Sequence, residues 1–217
     1  MVVGSAWAVP VLQLDISGGI YDAATETIVA KGDVFTLYAL FSPNPSEDML
    51  NPYTLSMAVT PSIDAPADFG YFTIGEEVIN VTDGMTYGTP ASLEDLNGVA
   101  NHDNIFPTYY KELSFSFNTA NTTASYDAEL TPGGFSGLDA EGETYFQAWT
   151  VDLSNLDAGN TIHFDLYGNV EKSNKIKAVF APFSHDAEGS SSVPEPTTLS
   201  LIGIALLGIG VFRKKVR

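Results

Sequence analysis

The sequence predicts an all-β fold: an antiparallel β-sandwich or jelly-roll-like domain followed by a single C-terminal transmembrane helix. Three observations carry that reading. Across residues 9–183, short runs of alternating apolar and polar residues are broken by Gly, Pro, Asn and Asp, the pattern of half-buried strands joined by turns. No sustained helical period competes with it. Residues 197–212 then pass without one charge before a basic terminus, as a membrane span does.

In chain order, the predicted strands cover residues 9–16, 33–41, 53–59, 69–74, 77–81, 111–118, 144–153, 161–167 and 175–180. Gly, Pro, Asn and Asp break the runs between them. In Leu113-Ser114-Phe115-Ser116-Phe117 the apolar side chains fall on one face and the serines on the other, so one face is buried and one wet. A helical turn is expected over residues 92–98, where Ser92 can cap and Glu94 and Asp95 suit the positive end of the helix dipole.

Length and composition support one domain with terminal signals. Residues 1–8 read as the remnant of a signal peptide, because Ala6-Trp7-Ala8 has the small-x-small form that signal peptidase accepts. Residues 9–188 form the β-sandwich, and residues 189–217 a linker and sorting segment with its span at 197–212 and its basic tail at 213–217.

All 27 acidic residues lie at or before Glu195, whereas Arg213, Lys214, Lys215 and Arg217 supply four of the nine cations. The chain up to Glu195 therefore sets five cations against 27 anions, a charge of −22. Such a field repels nucleic acid and anionic headgroups, so nucleic-acid partners are excluded. The absence of cysteine removes disulfides, thiol catalysis and zinc-thiolate sites.

The C-terminal segment is the most specific feature. Gly189-Ser190-Ser191-Ser192 leads to Val193-Pro194-Glu195-Pro196, the uncharged run and the cationic tail. Sixteen residues give about 24 Å of helix, short of a hydrocarbon core of about 30 Å but within reach once flanking side chains snorkel. Pro196 suits a first helical turn, and the terminal cations hold their end on the cytoplasmic side, which puts the body outside.

Val193, Pro194, Glu195 and Pro196, the apolar span and the basic stop of Arg213, Lys214, Lys215 and Arg217 resemble the PEP-CTERM sorting signal of Gram-negative bacteria. That resemblance implies an exosortase as partner, a transient stay in the inner membrane, and then the cell surface or extracellular matrix. Four body segments resemble the choice-of-anchor N subgroup of such proteins: Asp33-Val34-Phe35-Thr36-Leu37-Tyr38-Ala39-Leu40, Ile105-Phe106-Pro107-Thr108-Tyr109-Tyr110, His163-Phe164-Asp165-Leu166-Tyr167 and Phe180-Ala181-Pro182-Phe183-Ser184-His185-Asp186-Ala187. The subgroup brings no assigned catalytic residues.

Within the body, His163 and Asp165 stand two apart on a predicted strand and share a face, and His185-Asp186 lies in the closing segment. A metal site there needs a third ligand brought by the fold, and His102, His163 and His185 lack metalloenzyme spacing. No metal and no cofactor is expected. The Asp152 to Asn160 stretch offers oxygen ligands but not the EF-hand order, so it reads as a turn. Without GxSxG, SxxK or cysteine, acyl transfer lacks a nucleophile, and Glu76-Glu77 and Glu94-Asp95 point to opposite faces if extended. No catalytic residue is assigned, and the expectation is a non-catalytic exported protein whose setting, by resemblance, is extracellular polysaccharide or biofilm. Two alternatives stand beside it: a carbohydrate-binding module using Trp149, Tyr109 and Tyr110, and a secreted hydrolase with an unrecognised site.

Overall fold

A computed structural model describes residues 11–44, 48–91, 105–137 and 142–191. The strands in chain order are β1 (Leu12–Ile16), β2 (Ile20–Asp22), β3 (Thr27–Val29), β4 (Val34–Phe41), β5 (Asp48–Thr60), β6 (Tyr71–Ile74), β7 (Glu77–Asn80), β8 (Thr86–Gly88), β9 (Thr108–Phe115), β10 (Thr122–Thr123), β11 (Thr144–Asp152), β12 (Thr161–Lys172), β13 (Lys175–Phe180) and β14 (Asp186–Ser190). A 3-10 turn, Phe183–His185, precedes β14. The helical turn expected at 92–98 and the span at 197–212 lie outside the described residues, among which no helix is long and apolar enough to cross a membrane.

One sheet runs β1-β4-β11-β6-β7, with β10 beside the start of β11, and every pairing in it is antiparallel. The other runs β2-β3-β14-β12-β5-β9-β8, with β13 beside the second half of β12. An antiparallel sandwich was the expectation, and one pairing departs from it: β14 is parallel to β3. The cause lies in the path of the chain. After the β12–β13 hairpin, turned at Ser173 and Asn174 with positive φ at both, the chain runs back along β12, first as β13 and then as β14. β14 therefore meets β3 in the direction that β12 dictates.

Strand periodicity fills the space between the sheets. Phe35, Leu37, Ala39 and Phe41 of β4 face Leu55, Met57 and Val59 of β5 and Ile162, Phe164 and Leu166 of β12 in one core. Aromatic pairs cross it, Phe35 meeting Phe164 edge-on at 6.2 Å and Trp149 meeting Phe115 at 4.9 Å. Each such pair adds roughly 0.5–1.5 kcal/mol beyond area burial.

β4 is buried on both faces, because Tyr38 and Leu40 pack with Phe135 and Phe146 in a second, smaller cluster. The loop that contributes Phe135 is held down by side chains of β1. Gln13 donates to the Tyr126 carbonyl at 2.9 Å and accepts from the Ala128 amide at 2.9 Å. Asp15 accepts from the amides of Ile16, Gly133 and Phe135 and from the Tyr126 hydroxyl. Asp15 and Gln13 are both fully buried.

Candidate functional site

β12 alternates core and polar positions, so the face of its sheet opposite Ile162, Phe164 and Leu166 carries His163, Asp165 and Tyr167. These three are also buried. The neighbouring strands complete the set. Pairing with β14 places Glu188 opposite His163 and Asp186 two residues along the same strand, and pairing with β5 places Ser56 opposite Asp165. The closing strand thus delivers the third ligand type that the sequence spacing of His163 and Asp165 lacks.

One ligand atom from each of His163, Asp165 and Asp186 lies within 4.8 Å of the other two. His163 Nε2 is 3.5 Å from Asp165 Oδ1, and Nδ1 on the opposite side of the ring is 3.9 Å from Glu188 Oε2. His163 is 1% exposed, Asp165 3% and Asp186 1%. Burial opposes protonation of the imidazole, but the carboxylates of Asp165, Glu188 and Asp186 outweigh it and push the His163 pKa up to about 10. Asp186 is pushed well above the carboxylate range, first by burial and then by Asp165, with His163 opposing.

The other expected positions go elsewhere. His185 turns away from the cluster, its Nε2 lying 3.4 Å from Asp127 Oδ1 and its Nδ1 2.8 Å from Ser184 Oγ, and burial lowers its pKa. Asp152 closes an Asx turn, accepting from the Ser154 amide at 2.8 Å; the Ser154 side chain first and then that amide lower its pKa, and the loop after it is a strand connection. Glu77 pairs with Lys111 at 3.4 Å. The Trp149 ring packs inward on Phe115, Tyr109 meets Tyr87 at a tilt and Tyr110 meets Phe106 edge-on. His102, Glu94, Asp95, Ala6, Ala8, Val193, Pro194, Glu195, Pro196, Arg213, Lys214, Lys215 and Arg217 lie outside the described residues.

The sequence set Asp186 beside His163 and Asp165 as a possible ligand but missed Glu188 and Ser56 as neighbours of His163. The one available signal was the pairing of two short polar segments, HFD and HDAE, each with an acid near a histidine.

Fold and site together define a β-sandwich domain with a buried polar cluster on the face of one sheet turned away from the main core. Residues 192–215 match the PEP-CTERM protein-sorting motif, which implies an exported protein, processed by an exosortase and anchored transiently in the membrane before release to the cell surface. No curated protein matches the chain. Among solved structures, the collagen binding subdomain ACE19 of the Enterococcus faecalis surface protein ACE is similar over 85% of this chain and 99% of that chain, with 10% identity and a TM-score of 0.29.

Proposed function

We propose that the chain is a non-catalytic surface or matrix protein of a Gram-negative cell, its acidic β-sandwich displayed outside and associated with extracellular polysaccharide or biofilm. The sorting motif at residues 192–215 is the observation that carries this reading. The charge of −22 up to Glu195 suits a body that stays hydrated and clear of anionic membrane. The histidine-carboxylate cluster supports the non-catalytic part, since groups 1–3% exposed offer no substrate a reacting surface. Within this reading the body is of the choice-of-anchor N type. Of its four segments, the first supplies β4, the third lies in β12, and the fourth runs from the end of β13 into β14.

Orientation supplies the test. Protease added to intact spheroplasts should degrade the body of the unprocessed precursor, because cytoplasmic cations set topology. Replacing Arg213, Lys214, Lys215 and Arg217 by Gln should impair insertion. A body untouched by external protease would place it inside and overturn the proposal.

A further inference from the structure

We propose that His163, Asp165 and Asp186, with Ser56 beside them, form a binding site for one small divalent transition-metal ion of the zinc type. The ion would tie β14 to β12 and β5. Residues on two strands bring one nitrogen and two carboxylate oxygens within 4.8 Å of one another in a buried setting. His163 Nε2 and Asp165 Oδ1 are 3.5 Å apart. That separation matches the edge of a tetrahedron with metal–ligand bonds of 2.0–2.2 Å, about 3.3–3.6 Å.

Ser56 is the independent sign of a ligand. It sits opposite Asp165 on the same face of the sheet, is 0% exposed, and among the described residues its Oγ has no hydrogen-bond partner. A buried hydroxyl left so is costly, and a metal ion or the water bound to it would satisfy it. The ring of His163 is also placed as a metal ligand requires, with Nε2 toward Asp165 and Nδ1 on the side of the Glu188 carboxylate, the carboxylate-histidine-metal arrangement. Calcium fits poorly, because it takes six to eight oxygens and this cluster offers a nitrogen and few oxygens.

The test uses the tag-free full chain in detergent, stripped with EDTA and then given zinc. One equivalent should remain after dialysis. With zinc at about a hundredfold over its Kd the melting midpoint should rise by roughly 5–10 °C, whereas millimolar calcium should leave it unchanged. Asp186→Asn should weaken zinc binding more than roughly 100-fold, beyond what loss of a supporting hydrogen bond does. Should that variant fail to fold, cobalt bound to the unaltered chain reports the geometry, and intense visible bands of a tetrahedral nitrogen-oxygen site are expected. Zinc lost on dialysis, an equal shift with calcium, binding untouched in folded Asp186→Asn, or a pale octahedral cobalt spectrum would each overturn the proposal.

Discussion

Tyr126 donates its hydroxyl to Asp15 Oδ2 at 2.6 Å, joining residues 111 positions apart. The bond fastens the loop carrying Phe135 over the outer face of β4, where Phe135 meets Tyr38 at 4.7 Å and Phe146 at 5.3 Å. A polar anchor on β1 therefore decides whether the smaller apolar cluster exists.

That anchor has a pH signature. Burial raises the Asp15 pKa above its ordinary 3.8, outweighing the hydrogen bonds from Tyr126, Gly133, Phe135 and Ile16 that lower it. A carboxyl raised in the folded state contributes stability that is full below the unfolded pKa and lost as pH rises through the folded one. Asp15→Asn puts a donor toward a donor and should cost about 1–3 kcal/mol at pH 7. The wild-type margin over this variant, read from urea midpoints, should be larger at pH 3.5 than at pH 7. A margin that grows with pH would show that the hydrogen bonds win over burial.

Gly168 lies at the irregularity between Tyr167 and Asn169 in the β12–β5 register, and a Cβ there would fall on the ring of buried Tyr53. The chain crosses that ring only because it lacks a side chain. Gly168→Ala should destabilise by roughly 1–3 kcal/mol, the range for overpacking, with the denaturant slope unchanged. Unchanged stability would mean that Tyr53 has room to move aside.

Trp149 is half-buried with its ring edge-on to Phe115 at 4.9 Å. Its truncation should therefore act on the fold. Trp149→Ala should cost about 3 kcal/mol in chemical denaturation, and Trp149→Phe should recover much of it. If Trp149→Ala kept full stability yet lost binding on a glycan array, the ring would belong to a carbohydrate site and the module reading would return.

The strands expected from alternation correspond to β1, β4, β5, β6, β7, β9, β11, β12 and β13, because β-branched and aromatic residues at period two report their own burial, whereas the short β2, β3, β8 and β10 were not expected. β14 escaped that signal. Its sequence, Asp-Ala-Glu-Gly-Ser, has no β-branched or aromatic residue, and Gly189 is there because a Cβ would come within 2.7 Å of the Phe35 ring. Its place in the sheet comes from pairing with β12 and β3, which local pattern cannot register. The site was half legible for the same reason: His163 and Asp165 share a strand, while Asp186, Glu188 and Ser56 arrive by register. The burial of Gln13 and Asp15 was not legible either, because polar residues alternating with leucines carry no local sign that a loop covers them.

The central claim is that residues 192–215 are a signal to be read and removed. Under this proposal the prolines at 194 and 196 would favour an extended recognition segment, and Glu195 would supply the one charge that a membrane enzyme reads there. Intact-mass analysis of the chain in a host with its exosortase, comparing wild type with Glu195→Ala, tests it most directly. Wild type should lose roughly 2 kDa, the mass of the segment after Pro196, and leave the inner membrane, while the variant accumulates there at full length. Both proteins remaining at full length in the inner membrane would contradict the claim and make the segment a permanent anchor.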